Sequence, residues 1–238
     1  IAFLSVLAAF LVVGFRSSAQ DVQTPGSSDL PHRTEAVLAS TTLVLSQANG
    51  GGGGTTGTYI FDYVEIKNVS VSPQSLNGLS LYYGSQTGNF ASMPSNSFAL
   101  PNATLLPGQY YLVQLGSAGT SGIPLPVVPD ASSPTTNMLM SATNGKVALV
   151  TAAFPMNSCG ATATPCTLPN PAIIDLVAWG AANNAEGGAS TNGGVSITSS
   201  QGNVRKIGGC QDTDNNNNDF DIITAPVPRN TSSAVAAC

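Results

Sequence analysis

Between Asp212 and Asp221 the chain packs four carboxylates and four asparagine amides into ten residues. Oxygen donors at that density suit Ca²⁺, a hard cation that takes about six to eight oxygen ligands. Asp212, Asp214 and Asn216 follow the alternate spacing with which an EF-hand loop begins. The pattern then departs, because Asn217 stands where the turn glycine belongs and Ile223 where the bidentate glutamate belongs. The candidate ligand set is Asp212, Asp214, Asn216, Asn218 and Asp219, with Ca²⁺ as the candidate ion. The competing reading is a loop of Asx turns, in which these side chains accept hydrogen bonds from nearby backbone amides.

Glu65 and Glu186 are the only glutamates after residue 40. Paired carboxylates can hydrolyse glycosides. Glu65, however, shares a strand face with Tyr63 and Lys67, which suits a surface salt bridge or a backbone-bonded structural role. Asp175 sits in an otherwise apolar run and reads as a buried, hydrogen-bonded carboxylate or one facing a polar edge. The one histidine is His32. No Ser-His-Asp or Cys-His arrangement can be built from residues 41–238, nor can a histidine-ligated metal centre. No catalytic residue is assigned.

Five consecutive glycines, Gly50 to Gly54, lack the Gly-Lys-Ser/Thr ending and the following helix of a phosphate-binding loop. They read as a mobile loop able to fold against one end of the domain. Trp179 and the pairs Tyr82-Tyr83 and Tyr110-Tyr111 offer aromatic surface for a sugar. Alternation along a strand puts one tyrosine of each pair outward, with Tyr82 and Tyr110 the candidates. Asn68, Asn102 and Asn230 begin N-x-[ST] sequons, which marks them as candidates for exposure.

The elements that carry these residues are strands. After Thr41, short apolar runs alternate with Gly, Pro, Asn, Ser and Thr clusters. Strands are expected at Leu43–Ala48, Phe61–Asn68, Leu79–Gly84, Tyr110–Leu115, Lys146–Thr151, Ile173–Trp179 and Asn203–Ile207, with an edge segment near Phe98–Leu100. Val64 and Ile66 share one face of their strand, and Tyr63, Glu65 and Lys67 the other. Ile173–Trp179 is apolar on both faces apart from Asp175, which suggests a central strand. Val64, Leu149 and Leu176 are expected to meet in one interior. Asn-Gly pairs at 77–78 and 144–145 are hairpin signals. The fold class is all-β: an antiparallel β-sandwich with long loops.

Hydrophobic residues make up 42% of the 238 and charged residues 8%, with a net charge of -5. Only Arg205 and Lys206 adjoin as a basic pair, so no nucleic-acid partner is expected. The first fifteen residues carry no charge and Ser17-Ser18-Ala19 follows. The expectation is a signal peptide over residues 1–19, cut after Ala19, with any short basic region lying ahead of Ile1. The rival is a retained apolar anchor, as in a filament subunit. Residues 20–40 read as a linker, 41–231 as the domain and 232–238 as a tail. No membrane span is expected in the mature chain. Four cysteines suit an oxidising compartment. Cys159 and Cys166 are spaced for a local disulfide and Cys210 and Cys238 are a second candidate pair, though three pairings are formally open.

The ordered pieces resemble the lamin-tail domain in its bacterial secreted form. They run from LVLSQ at Leu43–Gln47 and FDYVEIKN at Phe61–Asn68 to LPGQYYLVQ at Leu106–Gln114 and SATNGKVALV at Ser141–Val150. IDLVAWG at Ile174–Gly180, NAEG at Asn184–Gly187, the Val204–Cys210 and Asp212–Phe220 stretches, and PVPRN at Pro226–Asn230 complete them. The resemblance covers roughly residues 41–231. It implies an immunoglobulin-like β-sandwich and an interaction module, and it does not imply catalysis. Many bacterial members place a cysteine before the Glu-Gly pair, where this chain has Asn184-Ala185. That departure leaves Cys238 as the partner for Cys210, or Cys210 as a free thiol.

The functional expectation is a secreted or cell-surface, non-enzymatic module that binds protein partners or itself. Edge strands would supply the contact by β-augmentation. A filament subunit that retains residues 1–19 and a calcium-dependent or sugar-binding adhesin are the alternatives.

Overall fold

The computed structural model describes residues 40–116, 118–134 and 137–238. The expected signal or anchor segment, His32 and all but the last residue of the linker lie outside the described residues. Among those described, no helix is long and apolar enough to cross a membrane.

The described residues form twelve strands: β1 (Leu43–Asn49), β2 (Asp62–Asn68), β3 (Gln74–Ser75), β4 (Leu79–Ser85), β5 (Ser97–Ala99), β6 (Thr104–Leu105), β7 (Tyr110–Leu115), β8 (Ala131–Ser132), β9 (Gly145–Thr151), β10 (Ile173–Trp179), β11 (Gln201–Arg205) and β12 (Phe220–Thr224). One sheet has the order β12-β11-β1-β2-β7-β8 and the other β10-β9-β4-β5, with β3 and β6 a separate ribbon. Every pairing is antiparallel except β7 with β8, which is parallel and only two residues long. The architecture is all-β.

The alternating residues build a core between the sheets. Leu45, Val64, Ile66 and Val113 come from the first sheet, and Leu81, Val147, Leu149, Val177 and Trp179 from the second. Burying each such side chain contributes about 1.5–3 kcal/mol. Val64 and Leu149 meet in this core, but Leu176 does not. It packs with Phe90, Val150 and Phe154 on the far face of the second sheet. The next residue, Val177, supplies the main core instead. Register along β10 shifts between Ile173 and Asp175, and one residue of shift exchanges the faces of a strand.

β10 is also an edge strand rather than a central one. It is apolar on both faces because the first sheet covers one side and the Leu176 cluster the other. The Cys159–Cys166 disulfide ties the loop over that outer cluster. Cys210 and Cys238 form the second disulfide.

Neither Asn-Gly pair closes a hairpin. Asn77-Gly78 turns the chain from the ribbon into β4, and Gly145 is already the first residue of β9. The glycine run packs against the end of the first sheet. A Cβ on Gly51 would lie 1.9 Å from the Ser199 carbonyl oxygen, and one on Gly52 2.0 Å from the Phe61 carbonyl carbon. Close approach of backbone to backbone, not only turning, requires glycine there.

Candidate functional site

β11 ends where Ile207 takes a positive φ of 53°, followed by Gly208 and Gly209, also left-handed. The strand therefore stops at Arg205, two residues earlier than its apolar pattern suggests. Arg205 is fully buried between the sheets. Its Nη2 donates to Asp175 Oδ1 and Oδ2 at 2.8 and 2.7 Å. Nε donates to the Leu45 carbonyl at 3.0 Å, and Nη1 to Asp212 Oδ1 and the Gln211 carbonyl, each at 3.0 Å. The guanidinium stacks 4.5 Å from the centre of the Phe220 ring. All three nitrogens are engaged, which satisfies a buried cation. Asp175 also accepts from the Leu45 amide, at the bulge where β1 shifts register.

The Asp/Asn loop wraps around this cation. Asp212 Oδ2 accepts from the Ser40 amide, and Asp219 accepts from the Thr213 and Asn215 amides. Asn215 caps the short helical turn Asn216–Asp219 by accepting from the Asn218 amide. Asn216 points into the edge of β10. Its Oδ1 accepts from the Ala178 amide at 2.9 Å, and its Nδ2 donates to the Leu176 carbonyl at 2.7 Å and to Glu186 Oε2 at 2.9 Å. One side chain thus takes the place of a neighbouring strand.

The five expected calcium ligands do not meet as one cage. Asn216 is committed to β10, Asn218 is exposed, and Asp219 is spent on amides of its own loop. What gathers instead is Asp175, Glu186 and Asp212, whose carboxylate oxygens lie within 4.8 Å of one another. Asp214 adds a buried Oδ2 that has no hydrogen-bond partner among the described residues. These are the groups that could hold a cation or a proton. Burial raises the Asp175 pKa to about 7 against the pull of Arg205. Burial, then the Asp175 charge, pushes Glu186 well above its ordinary value. Burial opposes the charge on Arg205 as well, yet Asp175, Asp212, Glu186 and Asp219 hold its pKa above the usual level.

Glu65 belongs to a different cluster. It is fully buried rather than at the surface. Oε1 accepts from Ser46 Oγ at 2.5 Å and from Arg229 Nη2 at 2.6 Å. Oε2 accepts from the Arg229 amide at 2.6 Å. Glu65 answers to Arg229 and Glu186 to the Arg205 cluster, so the two glutamates do not act as a pair. Arg229 also lies 3.8 Å above the Tyr110 ring and donates to the Tyr110 hydroxyl. Tyr110 is therefore buried and not a sugar platform, while Tyr82 is half-buried against Phe154. Asn68 is buried too, with its amide spent on the Ser72 and Leu105 carbonyls, whereas Asn102 is exposed.

The segment after β12 crosses the outer face of the first sheet. The Pro226 carbonyl accepts from Tyr59 and the Val227 carbonyl from Gln47. A groove of about 320 Å³ runs beside it, lined by Gln47, Val204, Gly208, Ile223, Val227 and Arg229 among others. Ile223 is 41% exposed and Val227 67%. Among the described residues, 221–224 make no backbone hydrogen bond other than to β11.

No model of a known protein family matches the chain. No curated protein matches it either. Among solved structures, a DUF4876 family protein from Bacteroides thetaiotaomicron is similar in fold. Its TM-score is 0.53 at 15% sequence identity, over 84% of this chain and 75% of that one. The likeness is one of architecture.

Sequence reasoning missed β12, the groove, Arg205 as a hub and Arg229 as the partner of Glu65. The adjoining Arg205-Lys206 and the double glycine after Ile207 were the signals present. Nothing local in the sequence joins Glu65 to a residue 164 positions away.

Proposed function

We propose that the chain is a secreted, non-enzymatic module of the lamin-tail, immunoglobulin-like type, which binds protein partners or further copies of itself by strand addition at β12. The observation that carries this reading is the contrast between two sheet edges. The β10 edge is closed by Asn216, while the outer edge of β12 has no backbone partner among the described residues and lies beside a groove with exposed Ile223 and Val227. An unpaired edge next to side-chain pockets is what β-augmentation uses. The absence of imidazole after residue 40 and the separation of Glu65 from Glu186 support a non-catalytic role. Two disulfides support an oxidising, extracellular setting.

The Ala225 amide bonds the Ser200 carbonyl. Antiparallel alternation then turns the Ile222 and Thr224 amides away from β11. Thr224→Pro removes an outward N–H without breaking the ladder. The expected result is loss of self-association in sedimentation, or of partner binding, with the melting temperature nearly unchanged. Association that ignores the substitution contradicts the proposal.

A further inference from the structure

We propose that Cys210–Cys238 is a thiol-exchange site, at which a small thiol attacks Cys238 and Cys210 departs as a thiolate held by Lys67. Lys67 lies on β2 and is buried. Its Nζ is 3.0 Å from Cys210 Sγ and 2.9 Å from the Gly208 carbonyl oxygen, and 5.2 Å from the Tyr110 ring centre. No carboxylate lies within salt-bridge distance of this ammonium among the described residues. The disulfide sulfur is thus a neutral contact for a buried cation. Burial lowers the Lys67 pKa to about 8, with Arg229 adding to the effect and Glu65 opposing it. A sulfur anion would supply the missing counter-charge.

Among the described residues, the charged and titratable side chains that act on Lys67 at this corner are Arg229, Glu65 and Tyr110. Arg229 bonds Glu65, the Tyr110 hydroxyl and the Gly208 carbonyl. Two cations then face one carboxylate, and the balance favours a thiolate at Cys210. Access sets the direction of attack, because Cys238 is exposed and Cys210 is half-buried. Cys159 and Cys166 pack on the Leu176 cluster, where the Lys146 ammonium lies 5.5 Å from the Phe90 ring and is bonded to Ser85, Gln86 and Asn183 rather than to either sulfur among the described residues, so the second disulfide is an internal comparison.

The chemistry balances without a metal. An incoming thiolate, RS⁻, bonds Cys238 Sγ as the Cys210–Cys238 bond breaks, and the electron pair leaves on Cys210. The products are an RS–Cys238 mixed disulfide and the Cys210 thiolate beside the Lys67 ammonium. A second RS⁻ can attack the mixed disulfide at the sulfur of R, releasing RSSR and the Cys238 thiolate. The reductant is a low-molecular-weight thiol of the glutathione class. Opening frees the C-terminal residues, of which Ala236 is otherwise hydrogen-bonded to Gly108.

The test incubates the full chain with reduced glutathione at fixed pH, quenches with acid, and maps adducts by mass spectrometry. Glutathione is expected on Cys238, with Cys210 free. That site should open at least about tenfold faster than Cys159–Cys166, since a stabilised leaving thiolate departs faster. Lys67→Met should slow opening about tenfold, while Lys67→Arg keeps it fast. Lys67→Gln, which retains a donor without the charge, should be slow as well and serves if the methionine variant fails to fold. Equal opening of the two disulfides, an adduct on Cys210, or wild-type speed in the uncharged variants would overturn the proposal.

Discussion

Arg205 of β11 and Asp175 of β10 meet at 2.7 Å with both side chains fully buried, and this pair joins the two sheets. It is also the point on which the Asp/Asn loop is hung, through Asp212 at 3.0 Å. Removing one partner of a buried pair strands the other charge, at a cost of about 3–5 kcal/mol. Arg205→Met and Asp175→Leu should each destabilise the fold by about that much in chemical denaturation. The double variant should lose less than the sum of the two, because Asp175 is no longer stranded opposite a missing cation, while Asp212 loses its Arg205 contact with or without Asp175. Additive losses would show that the pair is not coupled.

Stability should pass through a minimum near neutral pH. Asp62 and Asp175 are raised to about 7 by burial, and Glu65 and Glu186 are raised as well. For Asp62 and Asp175 the folded forms bind more protons than the unfolded chain, so their contribution is full below about pH 4 and is lost as pH rises through about 7, and Glu65 and Glu186 act in the same direction. Lys67 and Lys146 are lowered to about 8 from 10.5, again by burial. Their contribution is present above the unfolded value and is lost as pH falls through about 8. Melting temperature recorded from pH 5 to 10 should therefore be lowest between about 7 and 8. A maximum in that window would contradict the burial of these groups.

Asn216 shields the edge of β10. Asn216→Ala should cost about 1–3 kcal/mol, since it leaves the Ala178 amide and the Leu176 carbonyl without partners. It should also create concentration-dependent association that Thr224→Pro does not suppress, because the newly opened edge lies in the other sheet. Light scattering of the single and double variants distinguishes the two edges.

Gly51→Ala should destabilise by about 1–3 kcal/mol through overpacking against Ser199. Gly188→Ala meets no neighbour within 4 Å and carries only the strain of its left-handed backbone. A smaller effect at Gly51 than at Gly188 would mean that the glycine loop does not pack as described.

The sequence made the strands legible wherever one face alternates. β2 is the clearest case, because Val64 and Ile66 against Tyr63, Glu65 and Lys67 leave a single register that buries the apolar set. The same logic misassigned Leu176, because the register shift in β10 has no composition of its own. β12 was hidden by the run of Asp and Asn before it, which reads as loop through Asp219 and leaves only Phe220 to Thr224. At the candidate site, the buried state of Asp175 could be read from its apolar neighbours. Its partner could not, since Arg205 is 30 residues away and reaches it through pairing between sheets. The Asp/Asn loop was legible as a dense oxygen cluster, but which oxygens face backbone amides depends on turns that composition does not encode.

The central claim is that the outer edge of β12 is the docking surface. Residue-resolved hydrogen exchange on the full chain, compared between its free and its associated or partner-bound states, tests it most directly. The account predicts new protection at the Ile222 and Thr224 amides, with the Ala178 amide on β10 unchanged. Association that leaves Ile222 and Thr224 exchanging freely, or that protects another face instead, would contradict it.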